Sequence, residues 1–289
     1  MLASLENETI FKKAFTDKAV FTRFVKDILG IDFIVGSIET EKKFEPKPGD
    51  ISISYDIFAE SLDHRVMVEI QRVDYDYNFD RFLHYHMMSI AELQRNAKEY
   101  RIEKTVYTVV VMTAPYKIMQ KTGEPVIDEV MISSVDPRNL KDRVINLYGH
   151  RLVFLNPHFV TKDTPQNYRD WLDLLYESSH SPNNFKVNLK NGGVRKAVEI
   201  IDYDNLGPEL IDKMKIDNQR KAMLKIVENE GFEKGKQIGI EEGFEKGIEE
   251  GIEKGKIEMA IKMKAKGIGI DIISEMSGLP VKEIEKLGS

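Results

Sequence analysis

Cysteine is absent from the 289 residues, which excludes disulfides and thiolate metal sites. That absence fits a reducing compartment. No apolar run approaches the roughly 20 residues that a membrane-spanning helix needs. The opening residues, Met1-Leu2-Ala3-Ser4-Leu5-Glu6-Asn7-Glu8, lack the basic start and apolar core of a signal peptide. The expectation is a cytoplasmic protein without a membrane partner. Positive charge is not in excess either: 42 Lys and Arg stand against 48 Asp and Glu. Most of that deficit lies in residues 228–258, where ten Glu meet five Lys. The remainder is nearly neutral and can hold a basic groove, so nucleic acid stays open as a partner. Histidines are few, and His64, His84 and His86 form no zinc pattern, because His84 and His86 point to different helix faces.

What the chain does have is a pair of alternating runs around a short turn. Ile51-Ser52-Ile53-Ser54-Tyr55-Asp56-Ile57-Phe58 and Val66-Met67-Val68-Glu69-Ile70-Gln71 both read as β-strands with period 2. In the second, Val66, Val68 and Ile70 take one face, and Met67, Glu69 and Gln71 the other. Ser61-Leu62-Asp63-His64 reads as the turn. With Leu62 and Asp63 as its loop residues, Asp56 lies opposite Glu69, with Cβ atoms roughly 4.5–5.5 Å apart. Two carboxylates that close repel, and a divalent cation with oxygen ligands is one way to offset the repulsion. A solvated acidic edge, or a loop of different length that separates the two acids, is the other reading of the same residues.

Around the hairpin the chain alternates helix and strand. Ile10, Phe11, Ala14, Phe15, Phe21, Phe24, Val25, Ile28 and Leu29 follow Asn7-Glu8-Thr9 as one or two helices stopped by Gly30. A loop over 42–50 precedes the hairpin, and a long helix over 78–100 follows it. The run Thr105-Val-Tyr-Thr-Val-Val-Val-Met112 is a buried strand. Short strands are expected near 126–133, 144–147 and 151–154, and helices near 167–178 and 193–201. The order argues an α/β fold, a mixed sheet with helices on its faces.

From Gly231 the character changes. Gly231, Gly235, Gly239, Gly243, Gly247, Gly251 and Gly255 recur every fourth residue. Residues four apart stack on one helix face, although each interior glycine costs ~1 kcal/mol against alanine. A self-associating helix and a flexible charged linker both fit. The segment 259–289 has the spacing of a helix-turn-helix unit, with a packing role or a DNA role open. The expected organisation is a domain over 1–225, the glycine-repeat segment over 226–258, and this small unit over 259–289.

Taken in order, these residues resemble the PD-(D/E)XK nuclease superfamily, and within it the transposase-like, recombination-promoting nucleases. The likeness is carried by Asp56, by Glu69-Ile70-Gln71 after the hairpin, and by Glu8-Thr9-Ile10-Phe11-Lys12. It extends through Phe79-Asp80-Arg81-Phe82-Leu83-His84-Tyr85, the glycine-repeat tail and Ser277-Gly278-Leu279-Pro280. The resemblance implies a restriction-endonuclease-like mixed sheet flanked by helices, with a C-terminal helical tail. It implies a DNA endonuclease that hydrolyses phosphodiester bonds with Mg²⁺, Mn²⁺ being a substitute. Asp56, Glu69 and the Ile70 carbonyl would hold the metal, with Glu8 as the acid of the first helix. The superfamily's lysine is Gln71 here. Gln71 can only orient water or phosphate by hydrogen bonds, so Arg81 would supply the cation, with Tyr85 four residues on. The tail would make the protein a homo-oligomer. The alternative is a catalytically inactive nuclease-fold module that binds DNA or protein and oligomerises through the tail.

Overall fold

Asn7 starts the first helix for a local reason. Its side chain accepts the N–H of Ile10, satisfying one of the orphan donors of a helix N-terminus. Helix α1 (Glu8–Phe15) stops at Thr16, and Asp17 then caps α2 (Lys18–Leu29) by accepting from Ala19 and Val20. The apolar run is therefore two helices. Gly30 ends the second at φ 71°, a left-handed conformation that costs glycine no Cβ clash.

The structure is a computed structural model and describes residues 1–44, 53–72, 78–94, 102–116 and 118–287. Its six strands are β1 (Ile38–Lys42), β2 (Tyr55–Glu60), β3 (His64–Gln71), β4 (Thr105–Met112), β5 (Val130–Ser134) and β6 (Arg151–Leu155). They form one open mixed sheet in the order β1-β2-β3-β4-β6-β5. The pairs β1–β2, β2–β3 and β5–β6 are antiparallel, and β3–β4 and β4–β6 are parallel. Ile57 pairs with Val68 and Glu60 with Arg65, so Leu62 and Asp63 are the loop residues. Ser61 N–H closes the turn on the His64 carbonyl at 2.8 Å. A parallel pair needs a crossover, and α3 (Asn78–Glu92) provides it between β3 and β4.

Helices cover both faces of the sheet. On one side α1, α2, α4 (Gln166–His180) and α5 (Gly192–Ile201) bury Ile57, Ala59, Val66, Val68, Ile70, Val109 and Val111. On the other, α3 faces Tyr55, Phe58, Met67, Val106 and Val110. Burial on both faces explains why β4 is apolar at nearly every position. Phe15, Phe24 and Trp171 lock the first layer, with Phe24 and Trp171 edge to face at 5.1 Å. Truncating such a buried ring costs about 3–5 kcal/mol. Gly193 lets α5 meet α2: a Cβ there would lie 2.6 Å from Arg23 Cβ, too close without a backbone shift.

Two elements differ from the pattern reading. Residues 144–147 form no strand; only Arg138 and Val144 make a single bridge. The Asp136 carboxylate holds the loop instead, accepting from the N–H groups of Leu147, Tyr148 and Gly149. Strand β1 was invisible because Ile-Glu-Thr-Glu-Lys is a largely exposed edge, with no apolar alternation to read. Strand β2 begins at Tyr55, not before, and α3 ends at Glu92; the expected loop over 45–50, strand start at 51–52 and helix end at 95–100 lie outside the described residues.

The chain divides into two units, Met1–Gln219 and Arg220–Ser289. Helix α6 (Pro208–Ala265) begins in the first, where Leu210, Ile211 and Met214 pack on the core. It continues through the glycine repeat, and nothing lies within 4 Å of a Cβ built at Gly231, Gly235, Gly247, Gly251 or Gly255. In the second unit, Ala260 of α6 packs with Ile273 of α7 (Ile270–Ser277), Leu279, and Ile284 of α8 (Val281–Lys286). Lys264 Nζ donates to the Ile284, Glu285 and Leu287 carbonyls at 3.1, 3.2 and 2.6 Å, which satisfies the end of α8. Among the described residues no helix is long and apolar enough to cross a membrane.

Candidate functional site

The backbone ladder between β2 and β3 gives way to side chains at one end. The paired residues run from Glu60↔Arg65 to Ile57↔Val68. One step further, Asp56 N–H donates to Glu69 Oε1 at 3.1 Å, and Ile70 N–H donates to Asp56 Oδ2 at 3.0 Å. Each carboxylate thus takes a backbone N–H of the opposite strand. The period-2 pattern brings Asp56 and Glu69 to this end, and the two-residue turn sets the register that makes them partners.

Residues from other elements join them. Helix α1 brings Glu8 and Lys12, which share a face four residues apart, with Lys12 Nζ 2.6 Å from Glu8 Oε1. Strand β1 brings Glu41, which also bonds Lys12. Lys12 Nζ lies 3.6 Å from Asp56 Oδ1. Carboxylate oxygens of Glu8, Glu41 and Asp56 come within 4.8 Å of one another. Arg72, just after β3, donates to Glu8 Oε2 at 2.5 Å. From the far face of the sheet, Arg81 of α3 donates to Gln71 Oε1 at 2.8 Å. Its guanidinium lies 5.6 Å from the centre of the Tyr85 ring. Tyr85 is placed beside Arg81, and its carbonyl accepts the Tyr55 hydroxyl at 2.9 Å.

The electrostatics follow from crowding and burial. Burial pushes the Asp56 carboxyl above its usual range, against the Ile70 N–H and the Lys12 charge, which pull it down. Glu69, 3% exposed, is pushed well up, first by burial and then by the Asp56 charge. Glu41 moves the other way, because the Lys12 hydrogen bond favours its carboxylate. Burial works against the Lys12 charge, but its bonds to Glu41 and Glu8 and the charge of Asp56 outweigh this and keep it protonated.

Three of these residues were not singled out as site members from the sequence. Lys12 carries a signal, its i+4 spacing from Glu8. Glu41 carries none, since only the pairing of β1 with β2 brings it near. Arg72 follows Gln71 but lies just past the alternating run. Of the expected ligands, Asp56 and Glu69 meet directly, Glu8 reaches Asp56 across Lys12, and Ile70 joins through its N–H. The donors are hard carboxylate oxygens, which suit Mg²⁺ or Mn²⁺. An ammonium already seated among them fits a place that takes positive charge. Comparison of the chain with protein-family models, with curated proteins and with solved structures finds no match in any of the three.

Proposed function

We propose that the chain is a metal-dependent DNA endonuclease of the PD-(D/E)XK kind, with a restriction-endonuclease-like core. The observation that carries this reading is the reciprocal Asp56–Glu69 pair at the open end of the hairpin, with carboxylate oxygens of Glu8 and Glu41 within 4.8 Å of Asp56. An acid from the first helix, a strand Asp and a strand Glu are the set that the sequence resemblance implies. Glu8, Asp56 and Glu69 would hold Mg²⁺, or Mn²⁺ in its place, with the Ile70 carbonyl as a further oxygen. Such an ion, when bound, supplies charge to the scissile phosphate and lowers the pKa of a bound water.

The chain's own residues supply the rest. Gln71 is neutral and can orient a water or a phosphate oxygen. Arg81, bonded to it, brings the charge that Gln71 lacks, and a planar guanidinium matches phosphate oxygens. Lys12 offsets the acids before a cation arrives and offers a second positive group to the substrate. Self-association through α6 belongs to the same proposal.

A second reading has one observation in its favour. Lys12 already partners Glu8, Glu41 and Asp56, as it would in a nuclease-fold binding module that needs no metal. Plasmid DNA incubated with Mg²⁺, with EDTA, and with Asp56→Ala separates the two. Cutting that needs both the metal and Asp56 supports the endonuclease. A folded chain that binds DNA or protein but cuts with neither Mg²⁺ nor Mn²⁺ supports the module.

A further inference from the structure

Glu8 is the first residue of α1, and no strand aims it. Its direction depends on the first turn of a helix only eight residues long, too short to hold itself in water. The N–H groups of that turn have no acceptor within the helix. Asn7 Oδ1 takes the Ile10 N–H at 3.2 Å. The Thr9 N–H goes to Asp217 Oδ2 at 3.0 Å, and the Thr9 hydroxyl to the same oxygen at 2.6 Å. On the other side of Glu8, the Asn7 amide donates to Asn218 Oδ1 at 3.0 Å and to the Met214 carbonyl at 3.1 Å. Both neighbours of Glu8 are therefore tied to α6, more than 200 residues away in sequence.

We infer that Asp217 is a positioning residue for Glu8: its carboxylate clamps the first turn of α1 through Thr9 and so sets where the Glu8 carboxylate points. The inference rests on the reading of Glu8 as a metal ligand and adds what governs that ligand. Two features separate the clamp from ordinary packing. Glu8 is pulled by Lys12 and by Arg72, so its place beside Asp56 needs a backbone that does not yield. The clamp also belongs to the turns of α6 that dock in the first unit. Leu210, Ile211 and Met214 pack on the core, Asp217 and Asn218 make the polar ties, and the same helix then carries the glycine repeat. A change in those first turns is felt at Glu8 before it is felt at Asp56 or Glu69, which the sheet holds.

The test uses the full chain with Asp217→Ala, Asp217→Asn and Glu8→Gln. Mn²⁺ affinity is measured by titration, and amide exchange is followed over residues 8–12. Asp217→Ala is expected to weaken Mn²⁺ binding about tenfold, as the loss of an orienting group does, and to speed exchange at Thr9. Asp217→Asn keeps an oxygen that accepts both Thr9 bonds, and it should restore both readouts. Should Asp217→Ala not fold, Thr9→Ala removes the hydroxyl bond alone and should give a smaller loss of the same sign.

Unchanged exchange in Asp217→Ala, or in Thr9→Ala where that variant stands in, overturns the clamp. Asp217→Asn behaving like Asp217→Ala overturns it too, since charge and not hydrogen bonding would then be at work. If Glu8→Gln weakens binding while Asp217→Ala does not, Glu8 holds the metal unaided and only the positioning role falls. If Glu8→Gln changes nothing, or the unaltered chain binds no Mn²⁺, the metal reading of Glu8 fails and the positioning role falls with it.

Discussion

Arg65 and Glu69 lie four residues apart on the α3-facing row of β3, and both are buried. Their surroundings are opposite in kind. Arg65 donates to Glu60 at 2.6 Å, to Glu92 at 2.7 Å and to the Ser89 carbonyl at 2.8 Å. Its guanidinium lies over the Phe44 and Phe58 rings, and Lys104 reaches Glu60. Positive and negative charge match there. At the other end, Lys12 meets Glu8, Glu41 and Asp56, Arg72 meets Glu8, and Glu69 adds a fourth carboxylate bonded to the Asp56 N–H, and acid is in excess. The balanced end serves the fold, since a buried charge is tolerated when paired and hydrogen-bonded. The unbalanced end opposes folding, since burial and like charge push the Asp56 and Glu69 carboxyls upward.

The largest way to break this contrast is Arg65→Met. It removes the bonds to Glu60, Glu92 and the Ser89 carbonyl, and loss of hydrogen bonds to a buried charged group costs about 1.5–3 kcal/mol. Urea unfolding should show this loss, and a change under about 1 kcal/mol would mean the Arg65 end is not the structural one.

The acidic end should respond with the opposite sign. Glu69→Gln removes a like charge and is expected to stabilise the metal-free chain at neutral pH by about 1 kcal/mol, while cleavage is lost. The pH dependence has a defined direction. The folded-state pKa values of Glu69 and Asp56 lie above their ordinary values of 4.5 and 3.8, so the folded state binds protons more readily than the unfolded one. Their contribution is stabilising below the ordinary values and is lost as pH rises through the folded ones. Thermal melts of the metal-free chain from pH 4 upward should show this decline, and Glu69→Gln should flatten it. A melting point unmoved by Glu69→Gln across that range would leave the acidic end no different from a solvated edge.

Lys12→Met tests whether a lysine and a metal share one place. With the ammonium gone, the metal-free chain should lose stability, and Mg²⁺ should then raise the melting point more than in the unaltered chain. An ion at 100 times its Kd adds about 2.7 kcal/mol to stability. An equal Mg²⁺ response in both chains would put the cation elsewhere. A smaller effect is expected at His86, buried between α3 and β4 with Nδ1 2.9 Å from Thr108 Oγ1. Burial pushes this imidazole down to about 4, so the unfolded state takes up protons first. The His86 contribution falls as pH drops from 6.5 toward 4, opposite in sign to that of the carboxylates, so His86→Asn should steepen the decline of the melting point with rising pH.

Part of this was legible from residues alone. Alternation put Val66, Val68 and Ile70 on one face of β3 and Met67 on the other, and the clusters they join agree. The length of the turn set the register that pairs Ile57 with Val68, one step from Asp56 and Glu69. Helix spacing put Tyr85 beside Arg81. What could not be read was any contact whose partner lies on a distant, unpatterned element. Glu41 reached Lys12 and Asp56 through an edge strand with no apolar rhythm. Asp217 reached Thr9 across 208 residues.

The sequence by itself determined the hairpin, the register of its turn and the α/β class of the sheet. Each follows from interactions within a few residues, where backbone geometry leaves few choices. Only the tertiary structure decided which charges share the open end of the hairpin, and which residue of α6 holds the helix that carries Glu8. Those contacts depend on where whole elements dock. Docking is driven by buried apolar area, which is nearly indifferent to direction, so no local pattern names the polar partners it brings together.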